Sequence, residues 1–334
     1  MLTLVVLIVA LALLFDFLNG MNDAANSIAT VVSTGVLPPR FAVAWAAFFN
    51  FVAAFGFGVK VANTVGKGIV RVDVVDPWLV LAALVAAIVW THACTRIGLP
   101  ISVSHALIGG LAGAGLAKAG MSALVVGGVV KVATFIFVSP LLGMTVGFLL
   151  MVAVNWIFQR ANARRVDRLF RVGQLISSAA YSLGHGLNDA QKTMGIITVL
   201  LFSTGLLRGE FHVPIWVILS CHAVIALGTL AGGWRVIHTL GVRLTKLRPM
   251  SGFCAETGAA ASMIGASLAG IPVSTTHTIS GAIAGVGVTA RVSAVRWGVA
   301  RNILWAWILT IPSTTAVGAL TWWLVAGARW LLAA

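Results

Sequence analysis

Charged residues are scarce in this sequence, and acidic residues are the scarcest. Charged side chains make up 9% of the 334 residues, with 8 Asp plus Glu against 22 Lys plus Arg, whereas 60% of the residues are hydrophobic. A water-soluble domain carries about 25% charged residues, because polar side chains must cover its surface. The composition therefore excludes a soluble globular protein and predicts a protein that resides in a lipid bilayer.

Cysteine is also scarce. Cys94, Cys221 and Cys254 lie far apart and form no CxxC motif, so neither a disulfide framework nor a zinc site is predicted. The formal net charge of +14 does not predict a nucleic-acid partner, because the residues between the charges are apolar and offer no water-exposed basic face.

Apolar stretches near the length of a bilayer crossing recur along the whole chain. The first of them has no basic segment before it and no small-residue cleavage site after it, so we interpret it as a membrane helix rather than a signal peptide. The longest, residues 122–158, is either one span or two. The stretches occupy roughly residues 1–18, 41–59, 79–95, 122–158, 175–183, 193–207, 214–232, 253–269 and 299–328.

Two motifs occur twice in the chain, in the same order. GMNDAANS at 20–27 recurs as GLNDAQKT at 186–193, an offset of 166 residues. GLPISVSHALIGGLAGAG at 98–115 recurs as GIPVSTTHTISGAIAGVG at 270–287, an offset of 172 residues. We name these the NDA motif and the hairpin motif. Their ordered recurrence predicts a duplicated chain.

The repeat predicts the domain organisation. Residues 1–158 form a first repeat and residues 175–334 a second, joined by a basic linker at 159–174 that the positive-inside rule places in the cytoplasm. If each half consists of a broken span, a span, a re-entrant hairpin and a span, each half crosses the membrane an odd number of times. The two repeats are then inverted, and most of the basic loops fall on the inside.

Four of the eight acidic residues lie inside or at the edge of apolar stretches. An ionised carboxylate is costly there and usually faces a cavity or a partner. Asp23 and Asp189 recur with their flanking residues, which favours a functional role. Asp16 and Glu256 have no acidic counterpart in the other half, and a structural role such as a helix cap is an equal alternative for each.

Asparagines accompany the two repeated aspartates. Asn22 and Asn26 compete for backbone hydrogen bonds, so a helix break is predicted in each NDA motif. A broken helix at membrane depth lines a cavity, where its carbonyls and the carboxylate and amide oxygens suit sodium or a proton. Lys192 stands where Asn26 stands in the first copy and can neutralise Asp189, three residues before it. The two cation sites are therefore predicted to be unequal, with Asp23 the better candidate.

In the hairpin motif, hydroxyl residues follow a Gly-x-Pro sequence. Proline breaks the incoming helix, and Ser or Thr caps the outgoing one, which makes the helix N-terminus an anion site. The glycines that follow suit close helix packing. In inverted halves the two tips can converge at mid-membrane. The hydroxyl residues assigned to the anion are Ser102, Ser104, Ser274, Thr275 and Thr276.

An anion beside two buried carboxylates is strongly disfavoured unless cations bind with it. The two motifs together therefore predict cation-coupled anion symport.

The whole chain resembles the PiT family of inorganic phosphate transporters, of the bacterial low-affinity type. Besides the paired motifs, the resemblance rests on HGLNDAQKTMG at 185–195, LTKLRPMSGFCAET at 244–257 and RWGVARNILWAWILTIP at 296–312. It implies multi-pass residence in the plasma membrane (cell inner membrane) and phosphate import by alternating access, with protons or sodium as the coupling ion, no other cofactor and no covalent chemistry. It also implies an all-α integral membrane fold of two inverted repeats with broken helices and two re-entrant helical hairpins. The implied partners are phosphate, the lipid bilayer, a second copy in a homodimer and a PhoU-like cytosolic accessory protein.

The resemblance also assigns individual residues. The cation-linked residues are Asn22, Asp23, Asn26, Asn188 and Asp189, with Asp23 and Asp189 as sodium ligands if sodium is the coupling ion, and the phosphate-binding residues are the five hydroxyl residues of the tips. Gln191 and Glu256 also match family motifs and are assigned to phosphate and to the cation, respectively. The first tip reads SVSH where the second reads STTH, so Val103 removes one hydroxyl and can shift anion selectivity.

Two alternative functions follow from the same residues. A sulfate permease of the same family would place another tetrahedral oxyanion between the tips. An intramembrane prenyltransferase would use aspartates to hold magnesium pyrophosphate, but such a site needs clustered carboxylates, whereas each NDA motif supplies only one.

Overall fold

The computed structural model describes residues 1–56 and 58–333, and within these ranges the chain is all helical, with no strand. The helices are α1 (Leu2–Ser33), α2 (Pro39–Val52), α3 (Lys60–Gly68), α4 (Pro77–Ile97), α5 (Val103–Ala119), α6 (Val126–Phe158), α7 (Ala163–Ser203), α8 (Ile215–Ala231), α9 (Trp234–His238), α10 (Pro249–Leu268), α11 (Thr275–Val288) and α12 (Trp297–Ala333). Short 3-10 turns follow α2, α5 and α11, and a π-helical turn follows α9.

The described helices of the two halves correspond in order. A long helix (α1 or α7) is followed by a bent pair (α2 with α3, or α8 with α9), a helical hairpin (α4 with α5, or α10 with α11) and a second long helix (α6 or α12). The bent pairs turn by 85° and 66°. The all-α fold is confirmed; the inversion of the halves, and the ending of the hairpins inside the bilayer, stay predictions.

The apolar helices are long enough for a membrane protein. By length and composition, five helices within residues 1–56 and 58–333 can cross a bilayer, or up to seven if each bent pair is one span. The five are α1, α4, α5 with its following turn, α6 and α12. Helix α6 runs unbroken over 33 residues with Pro140 inside it. The long apolar stretch at 122–158 therefore holds one helix rather than two.

The prediction of a helix break in each NDA motif is wrong, because α1 and α7 both run through the motif without interruption. Gly20 is needed for close packing: a Cβ there would lie 2.2 Å from the carbonyl oxygen of Ile225. The Asn22 amide donates to Thr95 on another helix instead of competing for its own backbone. The broken helices of the fold are instead the bent pairs that follow α1 and α7.

Glycines let each hairpin pack closely against its neighbours, as predicted, and the structure shows that one such neighbour is the last helix of the other half. A Cβ on Gly113 of α5 would lie 2.0 Å from the carbonyl oxygen of Thr315 on α12. A Cβ on Gly285 of α11 would lie 2.2 Å from the carbonyl oxygen of Met144 on α6. Because real Cβ atoms do not approach so closely, only glycine permits this spacing. The two halves are thus interlocked through their hairpins.

Candidate functional site

The turns of the two hairpins are built alike. Gly98 and Gly270 adopt φ values of 75° and 68°, a left-handed conformation that favours glycine. Beyond each turn, the next helix starts after a serine N-cap. The side chains of Ser102 and Ser274 each accept a hydrogen bond, at 3.3 Å, from the backbone N–H three residues later. The predicted caps are confirmed, and they leave Ser104, Thr275 and Thr276 as the hydroxyl residues that reach other helices.

The asparagines of the two NDA motifs make equivalent contacts. Asn22 Nδ2 donates to Thr95 Oγ1 at 2.7 Å, and Asn188 Nδ2 donates to Ser267 Oγ at 3.0 Å. Thr95 and Ser267 lie 172 residues apart, the offset of the hairpin motif. Each NDA motif therefore docks on the first arm of its own hairpin in the same way. The Oδ1 atoms of both asparagines are buried and accept no hydrogen bond within the described structure.

The two repeated aspartates converge on one hairpin tip. Thr275 Oγ1 lies 3.1 Å from Asp23 Oδ2 and 2.9 Å from Asp189 Oδ2, and all three residues are buried. A hydroxyl carries one proton, so it donates to only one of these carboxylates at a time. Thr276 Oγ1, from the same tip, lies 3.4 Å from Asp23 Oδ1. The structure thus brings together carboxylates and hydroxyls that are far apart in sequence.

A buried histidine completes this cluster. His185 Nε2 lies 3.1 Å from Asp189 Oδ2 and 3.7 Å from Asp23 Oδ2. Ligand atoms from these three side chains all lie within 4.8 Å of one another, which is a spacing that can hold a cation. A bound cation would also relieve the repulsion between the two carboxylates.

Hydrogen bonds behind His185 fix its orientation. Thr229 Oγ1 donates to the Ile225 carbonyl at 2.9 Å and therefore accepts from Asn50 Nδ2, also at 2.9 Å. Asn50 Oδ1 then remains as the acceptor for His185 Nδ1, at 3.1 Å. With its proton on Nδ1, His185 presents the Nε2 lone pair to the two carboxylates. A proton or metal cation between them would satisfy all three groups.

Lys192 neutralises Asp189, as predicted. Its Nζ donates to Asp189 Oδ1 at 2.5 Å, to Ser104 Oγ at 2.6 Å and to the Val273 carbonyl at 2.9 Å. These contacts use all three protons of the ammonium group. Ser104, predicted to bind the anion, thus accepts from a lysine of the other half.

Asn26, at the position equivalent to Lys192, brings no charge to its half. Its Nδ2 donates to Thr276 Oγ1 at 2.9 Å, and the Thr276 hydroxyl donates to the Ile101 carbonyl at 3.0 Å. The surroundings of Asp23 and Asp189 therefore differ by one fixed positive charge.

Glu256 belongs to a separate buried cluster. Its Oε1 accepts from the hydroxyl of Thr30 and from Gln174 Nε2, the latter at 3.3 Å, and its Oε2 accepts from Ser177 Oγ at 2.5 Å. No hydrogen bond or salt bridge of the described residues joins Glu256 to the aspartate pair. Three donors satisfy the carboxylate, and its assignment to the coupling cation stays a prediction.

The Gln191 side chain forms hydrogen bonds with backbone groups around the start of α3 rather than with the hairpin tips. Its Oε1 accepts from the backbone N–H groups of Val61 at 2.9 Å and Ala62 at 3.2 Å, and its Nε2 donates to the Gly58 carbonyl at 2.9 Å. The side chain thus caps the N-terminus of α3. Its assignment to phosphate stays a prediction that this geometry does not support.

Sequence reasoning missed His185 and Tyr181. Tyr181 is the single tyrosine of the chain, is fully buried, and donates to the Thr275 carbonyl at 3.2 Å. Tyr181, His185 and Asp189 are spaced by four residues, so they share one face of α7. The four-residue spacing on the N-terminal side of Asp189 therefore predicts that both residues lie on the same helix face as this aspartate.

Asp16, left open by the sequence, is fully buried on α1. Its Oδ1 accepts from Thr193 Oγ1 at 2.8 Å, one turn beyond Asp189 on α7. The contact joins the two long helices.

The sequence of residues 19–318 matches the phosphate transporter family. The chain belongs to this family. A relative from Rhizobium meliloti (strain 1021), named "Probable low-affinity inorganic phosphate transporter", is 57% identical over 95% of this chain and 95% of its own length. A relative of the same name from Bacillus subtilis (strain 168) is 42% identical over 97% of this chain and 98% of its own length.

A solved structure has the same fold. It is described as "The sodium-dependent phosphate transporter", superposes with a TM-score of 0.90 at 26% sequence identity, and matches over 97% of this chain and 99% of its own. The family membership and the apolar helices identify the chain as a multi-pass membrane protein of the plasma membrane.

Proposed function

We propose that this protein imports inorganic phosphate by symport with protons or sodium ions, through alternating access. The observation that carries the proposal is the convergence of Asp23 and Asp189 on the hydroxyl of Thr275, in a chain of the phosphate transporter family. The names of its relatives support phosphate as the substrate, and the sodium dependence of the structural neighbour supports a coupling ion.

The charges of the site explain why cation and anion move together. Buried carboxylates repel an oxyanion strongly where water does not screen them. A cation beside Asp23 removes that repulsion and lets the Thr275 and Thr276 hydroxyls, at the N-terminus of α11, donate to the phosphate oxygens. In the structure the Thr275 hydroxyl contacts both carboxylates, and Thr276 Oγ1 lies 3.4 Å from Asp23 Oδ1. Binding of each ion thereby favours binding of the other.

Uptake by purified protein tests the proposal. In proteoliposomes, labelled phosphate should accumulate only under an inward proton or sodium gradient, and whichever gradient drives it identifies the coupling ion. A tenfold excess of sulfate should leave uptake largely intact. Gradient-independent uptake would contradict symport, and full competition by sulfate would favour the sulfate permease.

The prenyltransferase alternative is weaker. Magnesium pyrophosphate requires clustered carboxylates that are free to coordinate metal. Asp189 is paired with Lys192 at 2.5 Å, which leaves Asp23 as the one carboxylate of the pair without an ammonium partner. The relatives that match the chain are named as transporters.

The repeat boundaries at 158 and 175, the cytoplasmic position of residues 159–174 and the homodimer also remain proposals. Helix α7 is 41 residues long, or about 60 Å at 1.5 Å per residue, against a hydrocarbon core of about 30 Å. Part of the helix therefore extends beyond the bilayer, and we place its first turns there because Arg164, Arg165 and Arg168 are exposed. This basic surface suits an acidic cytosolic partner such as a PhoU-like accessory protein.

A further inference from the structure

The site consists of two half-sites with equivalent members. The first half-site comprises Asp23, Asn26, Thr276 and the Ile101 carbonyl, and the second comprises Asp189, Lys192, Ser104 and the Val273 carbonyl. The residues on the long helices α1 and α7 correspond at the 166-residue offset of the NDA motif. The residues of the hairpin tips correspond at the 172-residue offset of the hairpin motif. In both half-sites the helix side chain donates to a tip hydroxyl of the opposite half. The two half-sites can therefore be compared atom by atom.

In the second half-site, an ammonium group lies where a metal cation would bind. Lys192 Nζ is surrounded by a carboxylate, a hydroxyl and a backbone carbonyl oxygen at 2.5 to 2.9 Å. These are the oxygen ligands that hard cations take in proteins. The side chain is 3% exposed, so water does not complete its coordination.

The first half-site has the same oxygens but no cation of its own. Thr276 Oγ1 lies 3.0 Å from the Ile101 carbonyl and 3.4 Å from Asp23 Oδ1. Asn26 Oδ1 is buried without a hydrogen-bond partner, although buried acceptors are normally satisfied. In the first half the Asn26 amide and the Thr276 hydroxyl, both neutral donors, bond to the equivalent oxygens, and a mobile cation can displace them.

We propose that the Lys192 ammonium is a built-in cation that replaces one coupling ion. The second half-site is permanently filled, and only the first half-site exchanges a cation with the solution. Because the Lys192 and Asp189 pair carries no net charge, it adds none to the transport cycle. This inference rests on the proposed symport. The chain then moves one cation fewer per phosphate than a site with asparagine at both position 26 and position 192.

Substituting the lysine by its counterpart tests the proposal. The purified full-length Lys192→Asn variant should bind one more ²²Na⁺ per chain at saturation than the parent protein, in choline-balanced buffer of constant ionic strength. The reciprocal Asn26→Lys variant should lose a mobile cation from the first half-site, seen as one fewer sodium ion bound if the parent binds sodium there. An unchanged sodium count in a folded Lys192→Asn variant would overturn the proposal.

Lys118→Asn is the matched control. Lys118 also pairs with a carboxylate, Asp76, at 2.7 Å and with a carbonyl, that of Val74, at 2.6 Å, but it is 23% exposed and lies outside the site. This variant should bind the same number of sodium ions as the parent. A gain equal to that of Lys192→Asn would show that loss of any lysine produces it, and would also overturn the proposal.

Folding of the variant is itself informative. If Lys192→Asn unfolds in choline, sodium or methylammonium should restore its folded, monodisperse state, because a mobile cation can then take the place of Nζ. A variant that stays unfolded with all of these cations would mean that Lys192 has a purely structural role.

A transport measurement separates this inference from the proposed function. In voltage-clamped proteoliposomes, the parent and Lys192→Asn should differ by one positive charge per phosphate, read from the gradient at which net flux reverses. If the parent moves no phosphate under any gradient, the proposed function fails. The sodium count of the variant would still decide whether Lys192 replaces a cation.

Discussion

His105 and His277, at the same position in the two hairpin motifs, are in edge-to-face contact with ring centroids 4.9 Å apart. Contact between equivalent residues is consistent with a two-fold arrangement of the tips. Because each histidine lies one residue after a tip hydroxyl residue, Ser104 or Thr276, the contact brings both tips to one place. The geometry of the site therefore depends on how the two hairpins meet.

The histidine pair predicts an unequal loss of stability on truncation. His277 also stacks on Trp307 with ring centroids 3.9 Å apart, whereas the ring contact of His105 within the described structure is with His277. An aromatic pair contributes about 0.5–1.5 kcal/mol beyond its buried area. His277→Ala should therefore lower the thermal unfolding midpoint in detergent more than His105→Ala does. Equal losses would contradict the role of the Trp307 contact.

Asp23→Asn should abolish gradient-driven phosphate uptake while leaving folded protein in the membrane. The amide keeps the shape of the side chain but removes the charge that we propose binds the coupling cation. We expect at least a tenfold loss of uptake, equivalent to about 1.4 kcal/mol. Asp73→Asn, at an exposed aspartate paired with Arg71, should transport normally. Full uptake by Asp23→Asn would contradict its role as a cation ligand.

Thr276→Val should weaken phosphate affinity more than Ser104→Ala does. Thr276 Oγ1 lies 3.4 Å from Asp23 Oδ1, beside the proposed cation site, and can turn its proton from the Ile101 carbonyl to phosphate, whereas Ser104 lies beside Lys192 in the half-site proposed to bind no mobile cation. Loss of one hydrogen bond, about 1–1.5 kcal/mol, corresponds to roughly a tenfold rise in KM. Thr278→Val is the matched control, because the Thr278 hydroxyl donates to the Ser274 carbonyl within its own helix. The reverse order of effects would mean that the first tip dominates phosphate binding.

Gly113→Ala should destabilise the protein, because its methyl group would collide with the Thr315 carbonyl. Overpacking of this kind costs about 1–3 kcal/mol. We expect a lower unfolding midpoint and a smaller yield of monodisperse protein in detergent. Gly327→Ala, at a helical glycine with no neighbouring atom within 4 Å, should be neutral or slightly stabilising. Similar behaviour of the two variants would contradict the close packing of α5 on α12.

Gln191→Met should reduce stability and leave phosphate KM nearly unchanged. The substitution removes the acceptor for the N–H groups of Val61 and Ala62 and costs about 1–3 kcal/mol per group left unpaired. Gln159→Met, at an exposed position, is the control for the same change in composition. A tenfold rise in KM without loss of stability would instead support Gln191 as a phosphate ligand.

The sequence by itself determined that the protein resides in a membrane, that its two motifs are duplicated, and that Asp23, Asp189 and the hydroxyl tips are the candidate site. The high share of apolar residues indicates that lipid surrounds the chain, and a repeated motif can be recognised in the sequence alone. The unequal charge around Asp23 and Asp189 was also predictable, because Lys192 lies three residues from Asp189 on one helix.

Only the tertiary structure decided which partner each polar side chain takes. Asn22 would compete with its own backbone in isolation, but Thr95 accepts its amide proton, so the helix stays continuous. Gln191 and Glu256 find partners on other helices and form no hydrogen bond with the aspartate pair, and His185 acquires its orientation from Asn50. In a bilayer, where no water satisfies a buried polar group, such distant hydrogen bonds determine the local structure. These partners cannot be inferred from neighbours in sequence.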